Sequence, residues 1–562
     1  RRYFRPFTDF DIQKILYLDA TFVALKAVMI VLKWYRIQDL PIHWSYRIKR
    51  DEIALVTDYN INDVLGTDAL VKNQQKELDL RAKLSEMYAI DLRNMSRSSI
   101  GKNLMTKFYS EWSGMPSYEF VDLRTERSAV PIGKVVKDSI QFKTPFYRKI
   151  LESIQRYSIY IGLGSPKQSE LKRESIANGI VVTTWRKSFQ SLEFLSHEKG
   201  YTMAKGGLHS KDDPRVIWAE SGEILADPDV TSMYPSFIVE YGVAPHHLSK
   251  EVFIGIVKWL RETRVEAKHT GRKLEADALK IVINRIYGAL NDAMDYLYDP
   301  ECTYTVTINL QLLLCGLIEA FELNNFDVLS ANTDGLLVRL PLNRQGVFKH
   351  ICNEWSVYSK LDLETEKFEK YCRSAVNDYI AVGYGFYDAL QEYNRCGVWI
   401  DSRSNTYTTR QAIEDKFIKF KGYFLQDPEY NKGFVYPVVK KALKEYFLYG
   451  VDITEFIRNY INTSRTAIYD YCFSQKVAGK YTTIYKTVRD GKPVYIKCQK
   501  HNRFYICKSG GGAITKAIVP DSDNIAYGDD ISGIVVEEEK SLVADQRVAL
   551  FNDYEYKEDY NL

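Results

Sequence analysis

Residues 224–245 read Ile-Leu-Ala-Asp-Pro-Asp-Val-Thr-Ser-Met-Tyr-Pro-Ser-Phe-Ile-Val-Glu-Tyr-Gly-Val-Ala-Pro. The apolar residues at its start predict a buried strand, which then reaches two carboxylates, Asp227 and Asp229. A buried strand that ends in a carboxylate is a common way to hold a divalent cation, because the strand side is rigid and the loop side is open to substrate. A strand that stops at a solvated Asp-Pro-Asp turn explains these residues equally well, so the stretch alone leaves both interpretations open.

The composition is that of a globular protein with several domains: 562 residues, 45% hydrophobic and 27% charged, with a formal net charge of +3. The charge is unevenly distributed. Residues 410–516 carry 20 Lys and Arg against 9 Asp and Glu, whereas residues 521–562 carry 3 against 12. A basic region with interleaved aromatic residues is typical of a surface that follows a phosphate backbone, and a solvated basic face is the alternative.

The eight cysteines show no CxxC pair and no zinc-type spacing, which favours reduced thiols in a cytoplasmic protein. No apolar run of about 18 residues lacks a charged or polar break, so we expect neither a membrane-spanning segment nor a membrane partner. The sequence begins with Arg1 rather than Met, which predicts that residues are missing upstream.

A helical hairpin is predicted after the opening stretch, with helices over residues 251–268 and 273–290. Three residues of each helix share a face: Arg261, Arg264 and Lys268 on the first, and Lys280, Asn284 and Tyr287 on the second. Cations on two facing helices suit a triphosphate, whose charge needs fixed donors, although solvated faces remain the alternative.

A second carboxylate comes from a predicted β-hairpin over residues 327–340, which follows a long apolar helix over residues 305–323. The hairpin turn, Asn332-Thr-Asp-Gly335, is an ordinary turn sequence and says little alone. Paired with Asp229, however, Asp334 would complete the pair of carboxylates that a two-metal site needs.

Upstream, residues 51–71 and 74–89 are predicted to be helices, and residues 96–101 a Ser/Gly-rich loop. The first of these helices places Tyr59 and Asp63 on one face, where they could orient a metal-bound water or form a plain surface pair. Farther on, the adjacent Gly206 and Gly207 either let the backbone approach a ligand closely or form a tight turn before a strand.

In this order, the segments resemble the family B (DNA polymerase alpha-like) DNA polymerases, and most closely the bacteriophage members. The matching positions are residues 229–236 for motif A, Lys280, Asn284, Tyr287 and Gly288 for motif B, residues 332–334 for motif C, residues 206–209 for the glycine motif of phage members, and Arg264 and Lys268 for the basic pair of the fingers. The resemblance covers most of the chain between residues 50 and 510, with residues 73–200 matched by position more than by motif.

The resemblance implies an α+β, multidomain fold: a right-hand polymerase with a palm of antiparallel sheet plus helices, helical-hairpin fingers and a thumb. The implied segments are residues 1–72 as the C-terminal remnant of a 3′–5′ exonuclease domain, 73–200 as a connecting region that leads into the palm, 201–250 as palm with motif A, 251–290 as fingers with motif B, 291–409 as palm with motif C, 410–520 as a basic thumb, and 521–562 as an acidic C-terminal tail.

The activity that the resemblance implies is DNA-directed DNA polymerase, in which dNMP is added to a primer 3′-hydroxyl by two-metal transfer during phage DNA replication in the host cytoplasm. The implied cofactor is a pair of Mg²⁺ ions, with Mn²⁺ as an alternative, and the implied partners are primer–template DNA and dNTPs. The implied site residues are Asp229 and Asp334 for catalysis; Asp229, Val230 and Asp334 for metal; Ser232, Met233, Tyr234, Arg264, Lys268, Lys280, Asn284 and Tyr287 for the nucleotide, with Tyr234 rejecting a 2′-hydroxyl; and Gly206, Gly207, Thr333, Tyr379, Lys419, Lys421, Gly422 and Arg503 for DNA.

The sequence departs from the family pattern at four places. Motif C has Asn332 where an Asp is usual, but the second Asp is the more direct ligand in the family, so we expect activity to survive. Motif B has Arg285 where Ser is common, and residues 377–379, Asn-Asp-Tyr, lack the Lys of an element that touches the primer duplex.

The fourth departure concerns proofreading. Tyr59 and Asp63 resemble the third exonuclease motif, yet only Asp11-Ile-Gln faintly echoes the first, and it lies too close for a whole exonuclease fold. We therefore expect this chain alone to lack proofreading, with a separate chain as one source of the remaining exonuclease domain.

The spacing of the motifs bears on priming: 51 positions separate Asp229 from Lys280, and 54 separate Lys280 from Asp334. Protein-primed members of the family carry insertions in these gaps, so a nucleic-acid primer is favoured. Two alternatives to a polymerase remain. A catalytically impaired DNA-binding relative has only Asn332 in its support, and a nuclease or phosphotransferase leaves the hairpin cations and Tyr234 unexplained.

Overall fold

The computed structural model describes residues 12, 24–37, 40, 42, 46–177, 179–422, 436–476, 481–489, 491–497, 501–505, 516–520 and 549–550. The chain divides into two compact units, one of residues 97–422 and one that combines residues 1–96 with residues 423–562. The echo of an exonuclease motif at Asp11 and almost all of the acidic segment 521–562 lie outside the described residues. The names and boundaries of the seven predicted segments stay predictions.

The described helices are α1 (Leu25–Val31), α2 (Ile53–Asn73), α3 (Gln75–Tyr88), α4 (Arg97–Ser113), α5 (Ile132–Val135), α6 (Pro145–Ile154), α7 (Met233–Glu240), α8 (Lys250–His269), α9 (Lys273–Leu290), α10 (Pro300–Leu323), α11 (Gln345–Ser359), α12 (Phe386–Cys396), α13 (Arg410–Phe417), α14 (Pro437–Tyr449) and α15 (Ile453–Tyr460).

The described strands are β1 (Ala129–Pro131), β2 (Ser158–Tyr160), β3 (Lys172–Ala177), β4 (Ile180–Trp185), β5 (Ser188–Ser196), β6 (Lys199–Ala204), β7 (Leu208–Ser210), β8 (Arg215–Trp218), β9 (Glu223–Val230), β10 (Asp327–Asn332), β11 (Gly335–Pro341), β12 (Leu363–Ala375), β13 (Asp378–Gly383), β14 (Trp399–Ile400), β15 (Thr406–Tyr407), β16 (Ile418–Lys421), β17 (Phe473–Lys476), β18 (Tyr481–Arg489), β19 (Lys492–Lys497), β20 (His501–Tyr505), β21 (Lys516–Pro520) and β22 (Ala549–Leu550).

One large mixed sheet organises the unit of residues 97–422. Its main path runs β1-β2-β5-β6-β7-β10-β11-β9-β12-β13-β16, with β4 beside β5, β3 beside β4, and β8 beside β12. Its described pairs are antiparallel, apart from the parallel pair β2–β5. This is a mixed α and β architecture, as the sequence predicts at the coarse level.

Helix α10 supplies much of the core beneath this sheet. It begins at Pro300, which suits the first helical turn, and Asp299 caps it by accepting a hydrogen bond from the Glu301 N–H at 3.1 Å. Within the described residues, α10 is the one helix that is long and apolar enough to cross a membrane, and 78% of its apolar window is buried inside the protein.

Most of the predicted elements are confirmed: the helical hairpin is α8 and α9, the β-hairpin is β10 and β11, and the first two predicted upstream helices are α2 and α3. The predicted loop over residues 96–101 is wrong, because helix α4 begins at Arg97. Ser and Gly are weak helix formers, but tertiary packing overrides that preference. Here Ile100, Leu104 and Phe108 are buried on the side of α4 that packs on α8 and α9.

The second unit joins segments from both ends of the chain. Helix α1 packs on α2 through Val28 and Leu70, and Gly66 permits a close approach, since a Cβ there would lie 2.6 Å from Met29 Cε. The buried Asp470 carboxylate accepts hydrogen bonds from Lys441 at 2.7 Å and from the Tyr460 hydroxyl at 2.6 Å, and it forms an ion pair with Lys33. Two three-stranded sheets, β17-β20-β22 and β19-β18-β21, complete the unit.

Candidate functional site

Strand β9 carries two carboxylates, Asp227 and Asp229. Side chains two positions apart point to the same face of a strand, so Asp227 and Asp229 share one face. In the sheet β9 lies between β11 and β12, and Asp229 stands opposite Gly335 on one side and Glu364 on the other. The site thus begins on a central, well-paired strand rather than on a loop.

Asp334 lies beside Asp229 because the β10–β11 turn ends against β9. The Val230 N–H donates to the Asp334 carbonyl oxygen at 2.8 Å. A Cβ on Gly335 would lie 2.9 Å from Asp229 Oδ1 and 3.4 Å from Asp227 Oδ1. Glycine at this position therefore leaves room for both β9 carboxylates beside the turn. The structure brings together the two carboxylates that the sequence pairs.

These carboxylates share a strongly acidic environment. Burial, together with the negative charges of Asp334 and Asp227, raises the pKa of Asp229 to about 7. Burial likewise raises the pKa of Asp227 to about 7, against the lowering effect of Lys419. The pKa of Asp334 is raised by burial, with Lys421 acting in the opposite direction. Such a cluster of half-buried acids favours the binding of a cation.

Cations on the neighbouring strands come close to this cluster. Strand β16 pairs with β13, so that Lys421 stands opposite Tyr379. Lys419 forms a salt bridge with Glu366, and Glu366 stands opposite Asp227 in the β12–β9 pair. Gly422 follows with φ of +109°, and no larger residue fits there, since a Cβ would lie 1.9 Å from Asp378 Oδ1. Four of the predicted DNA-binding residues thus lie on this side of the acidic cluster.

The two predicted motif glycines lie on the opposite side of the motif C turn. Strand β7 pairs with β10, with His209 opposite Asn332, and His209 Nε2 lies 3.1 Å from Thr333 Oγ1. A Cβ on Gly207 would lie 3.1 Å from the same hydroxyl, so a side chain there would push against Thr333. Asn332 itself donates from Nδ2 to Asn377 Oδ1 at 3.1 Å. Asn332, which stands where the resemblance implies an Asp, thus forms a hydrogen bond with another side-chain amide.

The helical hairpin contributes one cation and one aromatic residue at close range. Arg264 Nη1 lies 3.5 Å from Ser232 Oγ, and the buried Arg264 Nε has no hydrogen-bond partner among the described residues. The Tyr234 and Tyr287 rings stack with centroids 4.1 Å apart and planes 7° apart. Arg261, by contrast, pairs with Glu240 at 3.5 Å, which leaves Arg264 as the arginine of this face that reaches motif A.

Three other predicted nucleotide contacts, Lys268, Lys280 and Asn284, are exposed on α8 and α9. Two of them line a cavity of about 430 Å³. Its lining residues are Arg97, Ser98, Lys280, Ile281, Asn284, Arg285, Gly288, Ala289 and Asp292. Lys280 and Gly288, the first and last residues of the motif B pattern, therefore both line this cavity, while Tyr287 stacks on Tyr234. Met233, in contrast, is buried in the first turn of α7.

The exonuclease-like pair lies in the other unit. The Tyr59 hydroxyl hydrogen-bonds the Asp63 carboxylate, and the buried Lys26 on α1 is near enough for its charge to act on Asp63. Burial is the largest influence and raises the pKa of Asp63. Arg503 falls in β20, and its side chain lies outside the described residues.

One further cluster has the residue types of a metal site. In the described part of the chain, the one group of three or more His, Cys, Asp or Glu residues whose ligand atoms all lie within 4.8 Å of one another is His246, Asp299 and Cys302. Asp299 already caps α10, and it pairs with Arg127 at 3.3 Å and with His246 at 2.7 Å. The guanidinium supplies the positive charge that a metal would bring, so the cluster is a closed polar network.

The sequence analysis gave no role to Asp227 and Glu366, and it named His209 and Asn377 only as members of matched segments. The signal for Asp227 is present in the sequence, because alternation along a strand puts it on the same face as Asp229. The places of the other three at the site depend on contacts between segments far apart in the sequence, which a single sequence does not reveal.

The similarity of this chain to known proteins is limited. No family model matches the chain. A segment of 118 residues is 28% identical to DNA polymerase II of Escherichia coli (strain K12), covering 21% of this chain and 15% of that protein. A solved structure, that of the family B DNA polymerase from the hyperthermophilic archaeon Pyrobaculum calidifontis, matches with a TM-score of 0.38 and 12% identity, covering 87% of this chain and 56% of that one. The sequence match supports a distant relationship to DNA polymerases.

Proposed function

We propose that this chain is a DNA-directed DNA polymerase of family B that extends a nucleic-acid primer with dNTPs by two-metal nucleotidyl transfer. The observation that carries the proposal is the meeting of Asp229 and Asp334 at adjoining strand ends, with Arg264 and the Tyr234–Tyr287 stack beside them. A role in phage DNA replication, in the host cytoplasm, belongs to the proposal and rests on the resemblance of the motifs alone.

The donor set fits a pair of hard divalent cations. Carboxylate oxygens are the ligands that Mg²⁺ prefers, and Asp229, Asp334 and the Val230 carbonyl would hold the ions, with Mn²⁺ as an alternative. The raised pKa values of the acids support this assignment, because bound cations would relieve the repulsion among them. When bound, Mg²⁺ supplies activation of the primer hydroxyl and stabilisation of the leaving pyrophosphate.

The remaining residues bind and orient the substrates. The unpartnered Arg264 Nε and the exposed Lys268 and Lys280 would neutralise the triphosphate. Ser232 and Met233 open α7 next to the nucleotide, and Tyr234 would pack under the sugar, where a 2′-hydroxyl would collide with its ring. Asn284 and Tyr287 would line the new base pair.

The DNA would be held on both sides of the acidic cluster. Gly206, Gly207 and Thr333 would approach one part of the primer–template backbone, and Tyr379, Lys419, Lys421 and Gly422 another. Arg503 belongs to the basic segment that we propose as the thumb. A separate chain that carries the rest of an exonuclease domain remains part of the proposal as a source of proofreading.

Primer extension tests the proposed function. The purified chain, a labelled primer on a longer template, dNTPs and Mg²⁺ should give elongated primer, and Asp334→Asn should abolish elongation. The matched control is Asp327→Asn, which removes an exposed carboxylate from the same hairpin. Binding of primer–template without extension by the wild type would favour a catalytically impaired DNA-binding relative instead. Full extension by Asp334→Asn would refute the metal assignment.

A further inference from the structure

Arg285, on helix α9, sits between two residues that the proposed function assigns to the nucleotide, Asn284 and Tyr287. Its side chain is directed away from motif A. One guanidinium nitrogen, Nη2, forms a salt bridge with the Asp295 carboxylate, and Nη1 donates to Ser98 Oγ at 3.1 Å. The Arg285 side chain is 13% exposed and that of Asp295 is 1% exposed. This ion pair is therefore largely shielded from water, which strengthens it relative to a surface pair.

The partners of Arg285 are themselves held in place. Asp295 accepts a hydrogen bond from the Leu297 N–H at 3.0 Å through Oδ1, and Lys102 Nζ lies 3.7 Å from its other oxygen. Helix α4 also approaches Arg285 closely at Gly101, where a Cβ would lie 2.6 Å from Arg285 Cδ. Arg285 is thus held between helix α4 and the segment after α9.

We propose that Arg285 is a positioning residue that fixes helix α9 so that Asn284 and Tyr287 meet the incoming nucleotide. Successive residues of a helix share its backbone, so an anchored residue 285 sets the position of residues 284 and 287. Arg285 also forms part of the cavity wall next to Lys280 and Asn284. The inference rests on the proposed function, since it assigns these neighbours to a dNTP.

A positioning role and a merely structural role give different kinetics. If the anchor positions the nucleotide contacts, its loss weakens dNTP binding, so KM rises and kcat changes little. If the ion pair only stabilises the fold, its loss lowers the fraction of active enzyme. In that case kcat falls and KM stays the same.

The experiment is steady-state insertion of a single dNTP by Arg285→Met, Arg285→Lys and Asp295→Asn, with folding checked by thermal melting. We expect Arg285→Met and Asp295→Asn each to raise the KM for dNTP about tenfold with kcat within about threefold of the wild type. Arg285→Lys retains a charge but not the two-nitrogen geometry, and should fall between Arg285→Met and the wild type. The matched control is Lys258→Met, which removes an exposed cation from the hairpin and should change neither constant.

The changes in KM caused by the Arg285 and Asp295 variants should not be additive, because each variant removes the same contact. A double variant with no larger change in KM than the worse single variant supports the anchor. A fall in kcat at constant KM, or unchanged constants in Arg285→Met, would overturn the positioning role of Arg285. If Arg285→Met does not fold, the same comparison of KM with kcat in Arg285→Lys decides the question. If the wild type and Lys258→Met add no nucleotide, the proposed function fails and the anchor fails with it.

Discussion

Among the described residues, the faces around Asp229 and around Asp63 each combine a half-buried carboxylate with a tyrosine, and they differ in what surrounds the carboxylate. On β9, Asp229 has Asp334 and Asp227 as neighbours, and their charges raise its pKa. On α2, Asp63 accepts a hydrogen bond from Tyr59 and has the positive charge of Lys26 nearby. At Asp229 the charges of Asp334 and Asp227 outweigh that of Lys419, whereas the nearby charge at Asp63 is that of the cation Lys26.

Burial alone does not separate these two faces, because it is the largest influence on both Asp229 and Asp63 and raises the pKa of each. The sign of the neighbouring charge separates them. Acids that repel one another on a rigid sheet gain from an added divalent cation, whereas an acid beside an ammonium group gains little. We therefore expect metal-dependent chemistry at β9 and a structural role for the α2 face.

The largest expected difference in the rate of primer extension is between two variants, each of which lacks the carboxylate of one face. Asp229→Asn should lower the rate of primer extension by about a thousandfold or more, because the proposed metal pair loses a ligand. Asp63→Asn should leave extension unchanged. The measurement is the rate of single-nucleotide addition at saturating dNTP and Mg²⁺.

A further variant of the α2 face, Asp63→Ala, tests proofreading. We expect the wild type to release no nucleotides from a primer 3′ end in the absence of dNTPs, so that Asp63→Ala has nothing to abolish. Mg²⁺-dependent release by the wild type that disappears in Asp63→Ala would reverse the interpretation of the α2 face.

The second effect is the dependence of metal binding on pH. Because Asp227 and Asp229 have pKa values of about 7, they bind protons as the pH falls from 8 to 6, and a divalent cation must displace those protons. The Mg²⁺ concentration for half-maximal extension should rise roughly tenfold per pH unit below about 7 for each proton displaced.

The variant Asp227→Asn sharpens this test. Removal of the Asp227 charge relieves Asp229 of a like-charged neighbour, so the pKa of Asp229 should fall and the rise in half-saturating Mg²⁺ should begin at a lower pH. A half-saturating concentration that is flat from pH 8 to pH 6 would contradict the role of these carboxylates in metal binding.

A third, smaller effect distinguishes the tyrosines of the two faces. Tyr234 is held by its stack on Tyr287, so its ring has a fixed position for excluding a 2′-hydroxyl. Tyr234→Ala should reduce the preference for dNTP over rNTP by about tenfold to a hundredfold. Tyr59→Ala is the matched control and should leave sugar selectivity unchanged. Equal selectivity in the wild type and Tyr234→Ala would remove the proposed gate.

Much of the fold and the central acids could be predicted from sequence because the signals are local. Periodicity located α8, α9 and the β10–β11 hairpin, and motif order paired Asp229 with Asp334.

The start of α4 was missed because buried contacts of Ile100 and Phe108 outweigh the weak helix preference of Ser and Gly. Glu366 was missed because its place opposite Asp227 is fixed by the register of two strands far apart in the sequence. Arg285 has one partner that is distant in sequence, Ser98 at 187 positions, and one that is near, Asp295 at 10 positions; the near contact depends on how the chain turns after α9.

The smallest effect concerns the cation of the α2 face, and it should appear in stability rather than in activity. Lys26→Met removes the charge that offsets the burial of Asp63, so it should destabilise the fold by about 1–2 kcal/mol at pH 8. Without Lys26 the pKa of Asp63 in the folded protein rises further above its unfolded value. The folded state then holds the proton more tightly, and the lost stability should return as the pH falls toward 5. Melting temperatures at pH 8 and pH 5 measure this difference, and Lys72→Met, which removes an exposed cation from α2, the helix that carries Asp63, is the control. A deficit in Lys26→Met that is equal at both pH values would mean that Lys26 stabilises α1 by packing, and that Asp63 is not neutralised by it.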